Sequence, residues 1–301
     1  FIISTYINTK EKNSPFWFFN SDDGIYKVNV SNPFREWNKE VGLPNIPIMD
    51  VVRYNGILYV ISPAGLYYLD ETSGFAEFKL ISEVIESWDL EIVKNPETEE
   101  EILLLSYADG IIQIEKDGFT KVSNISNAYT IYQSHENPYK LYIGNYEGLY
   151  LMEYENGKWV EKSKNPELKF QIKSILDKDD KIYLGCLSVG VIQLSDINDT
   201  NFVLMDSARG LPLEGQDFLV HELNNEIIVS SGAGLYRIED SIATPYDFFG
   251  EEYCNGSVGV SYFFEDQYGY WIASYETNTE SANHRLIRFK GKENPEKDTV
   301  F

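Results

Sequence analysis

The sequence predicts an all-β fold: a single seven-bladed β-propeller of four-stranded antiparallel blades spanning residues 1–301. Three observations lead there. A glycine-aliphatic-tyrosine signature returns along the chain, as GIY at 24–26 and GLY at 65–67, 148–150 and 234–236. Its glycine falls at Gly24, Gly65, Gly110, Gly148, Gly190 and Gly234, at intervals of 41, 45, 38, 42 and 44 residues, the length of one propeller blade. Aromatic residues make up 15% of the chain, mostly Tyr and Phe, and helical periodicity is weak everywhere.

The same order of elements is expected in each interval. A unit opens on an apolar innermost strand, seen as IMDVVRY, YTIYQS, QIKSILD, DFLVHEL and GVSYFFED. Polar turns such as NG, KNPETEE, HENP, DKDD, NN and DQYG follow. The second strand comes next: ILYVIS (57–62), ILLLSY (102–107), LYIGNY (141–146), IYLGCL (182–187), IIVSSG (227–232) and YWIASY (270–275). A short turn then leads into the signature strand, with its glycine supplying the positive φ or close approach that a tight hairpin requires. A weaker fourth strand completes the unit. Near-continuous apolar strands suit sheets covered on both faces, as blades between two neighbours are.

The first hairpin occupies 17–30. The seventh repeat occupies 257–301, where HRLIRFK (284–290) carries Arg285 in place of the glycine. The chain opens on an inner strand (1–7) and closes on an outer one (299–301), so no strand is expected to pass between the first and last blades. LISEVIESW (80–88) is the nearest approach to a helical pattern and reads as a loop or single turn. Tyr26, Tyr67, Tyr150 and Tyr236 are expected to pack between blades and not to touch a ligand.

Charge and composition narrow the function. With 25 basic and 48 acidic residues the net charge is −23, which disfavours nucleic acid and anionic membrane surfaces as partners. Cys186 and Cys254 are far apart and read as two unpaired thiols, one isolated bridge being the alternative. No apolar run approaches the ~18–20 residues of a membrane span. The start at Phe1, without Met or a signal-like segment, reads as an excised or processed piece.

No constellation for catalysis is visible. His135, His221 and His284 fall in different repeats, with no HxxH or HExxH spacing, so no metal is expected. G-x-S-x-G and the glycine-rich phosphate loops are absent, so neither a catalytic residue nor a cofactor is expected. Asp266 approaches a sialidase-type Asp-box and reads as a turn residue. In a propeller, the turn between the two middle strands and the connector between blades emerge on one face, around a central funnel. That face is expected to collect Asp22, Asp23, Trp88, Asp89, Tyr107, Asp109, Tyr146, Glu147, Tyr275 and Glu276. Aromatic platforms beside carboxylates suit sugar rings, and would suit a basic peptide segment as well. The long polar loop 276–283 is a further place for recognition.

Two segments, VGLPNIPIMDVVRYNGILYVISPAGLYYLD (41–70) and RGLPLEGQDFLVHELNNEIIVSSGAGLYRIED (209–240), resemble two-component regulator propeller repeats. VSYFFEDQYGYWIASY (260–275) carries the D-x-x-G-x-W part of that pattern in Asp266, Gly269 and Trp271. Most other copies replace the tryptophan. The resemblance implies the periplasmic or extracellular sensor region of a bacterial receptor, in which two such rings precede a β-sandwich, a membrane helix and a cytoplasmic module such as a histidine kinase. It implies a small-molecule ligand, often an oligosaccharide, with the other domains of the same receptor and a second copy in a homodimer as partners. The alternatives are a carbohydrate-active lyase or hydrolase on the same scaffold, and a non-catalytic protein-interaction scaffold. A tight acidic pair in the funnel with shifted pKa values would favour the enzyme. A flat apolar face elsewhere would favour the scaffold.

Overall fold

The computed structural model describes residues 2–7, 16–21, 24–29, 37–72, 76–82, 84, 86–116, 118–212, 217–277 and 284–300, those before 37 and after 298 as backbone only. Six four-stranded antiparallel sheets and one three-stranded sheet are present. Strands within every sheet are hydrogen-bonded in chain order, so each is a simple up-and-down meander. The six complete blades, here blades 2 to 7, cover residues 50–82, 89–123, 130–165, 172–205, 219–245 and 258–300. First strands of blades 2 to 6 touch one another in succession, and blade 7 packs its first strand on blade 6, so the first strands lie innermost. This is a propeller.

The expectation of seven four-stranded blades is corrected: among the described residues six are complete. The first sheet has three strands, Ile2–Ile7, Phe16–Ser21 and Gly24–Asn29. Residues 30–36 then lie outside the described residues, and at Trp37 the chain is already entering the turn that leads to blade 2. Among the described residues no strand passes between the first and last sheets: Ile2–Ile7 pairs with Phe16–Ser21, and the last strand, Glu296–Val300, pairs with His284–Lys290. No α-helix occurs among the described residues, and in the 80–88 segment the outer strand of blade 2 runs through Ser82 before the connector begins.

The recurrent glycine has a physical cause beyond its turn. Gly148 has φ 140°, and a Cβ there would lie 2.2 Å from the carbonyl oxygen of Asn165, the last residue of the same blade's outer strand. The signature strand leaves its turn so close to the end of the outer strand that only hydrogen fits. The Gly-Leu-Pro steps follow a second rule. Asn38 and Asp206 each cap a three-residue 3-10 turn through their side chains, and Gly42 and Gly210 end those turns at φ 91° and 87°. A Cβ on either would meet a backbone carbonyl, of Phe78 or Ala243, in the outer strand of the next blade.

Signature tyrosines are core residues. Tyr150 is buried among Val93, Leu104 and Ile111 of blade 3 and Ile131, Leu141 and Ile143 of its own blade. Tyr236 is packed against Leu176, Tyr183 and Val191 of the preceding blade. Tyr67 packs on Val60, Leu69 and Phe78, with Trp37 and Leu43 of the incoming connector against it. Tyr26 lies outside the residues whose side chains are described. Each such ring stabilises by roughly 1.5–3 kcal/mol through the apolar surface it removes from water. Cys186 and Cys254 are both buried and free, and burial pushes the Cys186 thiol up to about 12.

Candidate ligand-binding face

Three aromatic rings converge where the connectors of blades 3 and 4 reach the axis. Trp88 and Tyr129 hold the same place in consecutive blades, each one residue before an innermost strand, Asp89–Lys94 and Thr130–Gln133. Their backbone N–H groups extend the strand ladders, to Ser106 O at 3.1 Å and Gly144 O at 2.8 Å. Both rings are thereby fixed to the sheet. Trp88 meets Tyr129 edge-on at a centroid distance of 5.0 Å, and Tyr129 meets Tyr146 edge-on at 5.1 Å. Tyr146 comes from the turn between the second and third strands of blade 4 and is 56% exposed. Its hydroxyl donates to Gln171 Oε1 at 2.8 Å, and Lys173 Nζ lies 5.4 Å from the Tyr129 ring centre. Burial and the neighbouring Tyr146 push the Tyr129 phenol up to about 12, so it stays neutral. Trp88 Nε1 is buried without a hydrogen-bond partner among the described residues. An amphipathic ligand has a ring surface, a hydroxyl, an amide and a cation within one patch.

Other residues expected on this face are not brought together with it. Tyr107 packs on the core between blades 2 and 3, with Lys121 Nζ 5.3 Å from its ring centre, and Asp109 engages the same lysine through its backbone carbonyl. Glu147 turns along its own blade, pairing with Lys164 at 2.9 Å and accepting from the Tyr150 hydroxyl at 3.2 Å. Tyr275 lies over Gly259 and beside His284, and Glu276 pairs with Arg285, both in blade 7. Asp22, Asp23 and residues 278–283 of the long loop lie outside the described residues. Trp88 and Tyr146 are the expected residues that do join it, both through Tyr129, while Asp89 turns its carboxyl to the Ile131 N–H. Tyr129, Gln171 and Lys173 were not read from the sequence, although the shared position of Trp88 and Tyr129 one residue before an inner strand would have found Tyr129.

Beneath the aromatic run the innermost strands carry carboxyls. Asp50 accepts from Leu90 N–H at 2.9 Å, and Asp89 accepts from Ile131 N–H at 2.7 Å. Ser174 Oγ repeats the link by accepting from Val220 N–H at 2.8 Å. Each side chain thus reaches forward to the inner strand of the next blade. Asp89 and Glu91 are two apart on one strand and so share its face. Burial raises the pKa of all three carboxyls. Glu91 is pushed up to about 8 by burial and then by the charge of Asp50, while Asp89 is raised by burial and then by the charges of Glu91 and Asp50. All three residues are half-buried. No ion pair to any of them occurs among the described residues.

Remaining titratable candidates are dispersed. His221 packs between Tyr262 and Phe263 of blade 7, contacts Ser230 Oγ at 3.1 Å, and is lowered to about 4 by burial, so it is neutral. The backbone N–H of His135 donates to the buried carboxylate of Asp177 at 3.0 Å. Among the described residues no three His, Cys, Asp or Glu side chains are placed to hold a metal ion. Asp266 accepts from the N–H groups of Tyr268 and Gly269 and from Trp271 Nε1, at 2.6, 2.9 and 2.9 Å, bonds that hold it below the usual carboxylate range. It is a turn clasp.

No family model and no curated protein matches the chain. Among solved structures it is similar to the extracellular domain of a candidate one-component system from B. thetaiotaomicron, with TM-score 0.54 and 15% identity, over 86% of this chain and 36% of that one. It is similar to PorZ, a surface component of the type-IX secretion system of Porphyromonas gingivalis, with TM-score 0.52 and 13% identity, over 86% of this chain and 33% of that one. Sqt1 of Saccharomyces cerevisiae matches at TM-score 0.52 and 12% identity, over 96% of this chain and 93% of its own. At these identities the likeness is one of propeller fold alone. The chain spans about a third of the length of the first two. No helix among the described residues is long and apolar enough to cross a membrane.

Proposed function

We propose that this chain is a non-catalytic, ligand-binding propeller from the extracytoplasmic part of a bacterial two-component receptor, and that it takes a small hydroxylated ligand, an oligosaccharide fragment, on the Trp88–Tyr129–Tyr146 face. The aromatic run carries this reading. Its rings are held by strand ladders, one of them is 56% exposed, and hydrogen-bonding groups stand beside it. The family-like repeats and the fold it shares with the B. thetaiotaomicron extracellular domain support the receptor setting. Occupancy would pass to the other receptor domains or to a second copy through packing.

The ring itself is completed by the first sheet as a seventh blade. Gly42-Leu43-Pro44 and Gly210-Leu211-Pro212 follow turns with matching caps, and the strand Val203–Met205 runs just before the second of these. Blades 2 and 7 also expose apolar side chains on the faces turned away from blades 3 and 6, including Val51 at 54% and Phe264 at 46%. A further blade between them covers both.

Titration with a panel of neutral oligosaccharides, followed by tryptophan fluorescence and calorimetry, tests the binding. Trp88→Ala and Tyr146→Ala are each expected to weaken binding about tenfold, a loss of ~1.4 kcal/mol of stacking, while circular dichroism stays unchanged. Saturable binding that ignores both substitutions sinks this face as the site.

One observation favours the enzyme as a second reading. Asp50, Asp89 and Glu91 form the close acidic group, with raised pKa values, that a hydrolase calls for. Glu91 would then be the acid and Asp50 the base. Product release from the same oligosaccharides, abolished by Glu91→Gln, would move the function to catalysis.

A further inference from the structure

A cavity opens at the opposite end of the same pair of blades. The innermost strand of blade 3, Asp89–Lys94, begins at the aromatic face and ends at a turn over 95–100. That of blade 4, Thr130–Gln133, ends at a turn over 134–139. Between these turns lies a cleft of about 430 Å3, within the range of small-molecule sites. Its apolar walls are Ile92, Pro96, Tyr132 and Pro138; Glu91 lines it too, and Lys94 and Glu99 stand among its charged lining groups.

The walls are tied down. The Gln133 side chain clasps the two blades, donating to Lys94 O and Pro138 O and accepting from Lys94 N–H, each at 2.7 Å. Asn95 Nδ2 donates to the Tyr154 hydroxyl at 2.8 Å, and the Tyr132 hydroxyl donates to Asp177 at 2.8 Å. Glu91 differs, because its carboxyl makes no hydrogen bond among the described residues. It stands beside Asp50, whose charge opposes its ionisation before any ligand arrives.

We propose that this cleft binds a small amphipathic organic cation, its ammonium paired with the Glu91 carboxylate and its apolar body lying against Ile92, Pro96, Tyr132 and Pro138. A cation brings the charge that the three carboxyls lack and lets Glu91 ionise beside Asp50. A neutral ligand of the same shape leaves that repulsion in place. The pairing is worth most where water is displaced by the apolar body. This site lies on the opposite face from the aromatic run and does not depend on it.

Binding is linked to protons. Glu91 otherwise keeps its proton to about pH 8, so an ammonium displaces that proton as it binds. Asp50 of blade 2, Asp89 of the same strand and Tyr262 of blade 7 face Glu91 from within the ring. Tyr132 and His135 of blade 4, with Lys94 and Glu99, complete the titratable surroundings. An amine that stays charged throughout therefore binds more tightly as pH rises toward 8, by up to about tenfold per unit.

Tryptamine and its neutral counterpart tryptophol, titrated calorimetrically into the full chain at pH 6.5 and pH 8, test the proposal. Tryptamine is expected to bind about tenfold tighter than tryptophol at pH 8 and to lose that advantage at pH 6.5. Glu91→Gln keeps the shape and removes the charge, and is expected to erase the difference between the two probes. Tyr146→Ala, on the other face, is expected to leave it intact. Equal binding of the two probes, no binding of either at ~10 mM, or an amine preference that survives Glu91→Gln overturns the proposal.

Discussion

At the scale of single residues, Glu91 is where sequence and structure part most clearly. Its folded pKa is raised to about 8, whereas an unfolded glutamate titrates near ~4.5. Between those values the unfolded chain releases its proton and the folded chain does not, so stability falls as pH rises through that window. Glu91→Gln is therefore expected to stabilise the fold at pH 7.5, by up to about 3 kcal/mol, and to change little at pH 4.5. Urea titrations at the two pH values check this, and an equal effect at both would contradict it. The signature glycines and their tyrosines were legible in the sequence, because each repeats wherever the same backbone geometry repeats. Glu91 was not. Its environment arises from burial and from Asp50, forty-one positions earlier in the numbering, and only the packing of blade 2 on blade 3 around the axis brings the carboxyls together. Tyr107, Asp109, Glu147, Tyr275 and Glu276 stand apart from the aromatic run for the converse reason. They sit at the right level of their blades, but partners in the same or the preceding blade hold their side chains away from the aromatic run.

Between elements, the blades are joined by apolar packing and by one recurring polar device. Asp50, Asp89 and Ser174 each send a side-chain oxygen to an inner-strand N–H of the following blade. Those N–H groups would otherwise face the axis without a strand partner. Ser174→Ala leaves the Val220 N–H unpaired at a half-buried position and is expected to cost about 1–2 kcal/mol. A double-mutant cycle cannot be built against a backbone donor, so the sharper readout is hydrogen exchange at Val220, which should quicken while exchange within blade 4 is unchanged. The inner, second and third strands of blades 2 and 4 to 7 are legible in order and type, since turn residues of clear chemistry bound them, whereas the inner strand of blade 3, Asp89–Lys94, is not picked out by the pattern. The outer strands were weak in the sequence, and that is where the count of complete blades went astray.

For the whole molecule, the question is what covers the apolar faces of blades 2 and 7. If the first sheet closes over Val51, Tyr262 and Phe264, which stand exposed in the structure, removing residues 1–36 leaves them permanently bare. The truncated chain is expected to bind the dye ANS and to melt several degrees lower, since even ~2 kcal/mol shifts the midpoint of a domain this size by roughly 4–8 °C. A truncation with unchanged melting and no dye binding would place the first sheet elsewhere. Among the described residues every sheet is also made from one unbroken stretch of chain. The consequence is a string of beads, each tied from its own thread. A bead gripped by a neighbour on both sides resists longest, so heat or denaturant should undo the outer beads first and travel inward. The innermost beads of that string, blades 3 to 5, keep their shape longest. The aromatic patch and the cleft on the opposite face both belong to blades 3 and 4, so both would remain competent after the ends had come undone.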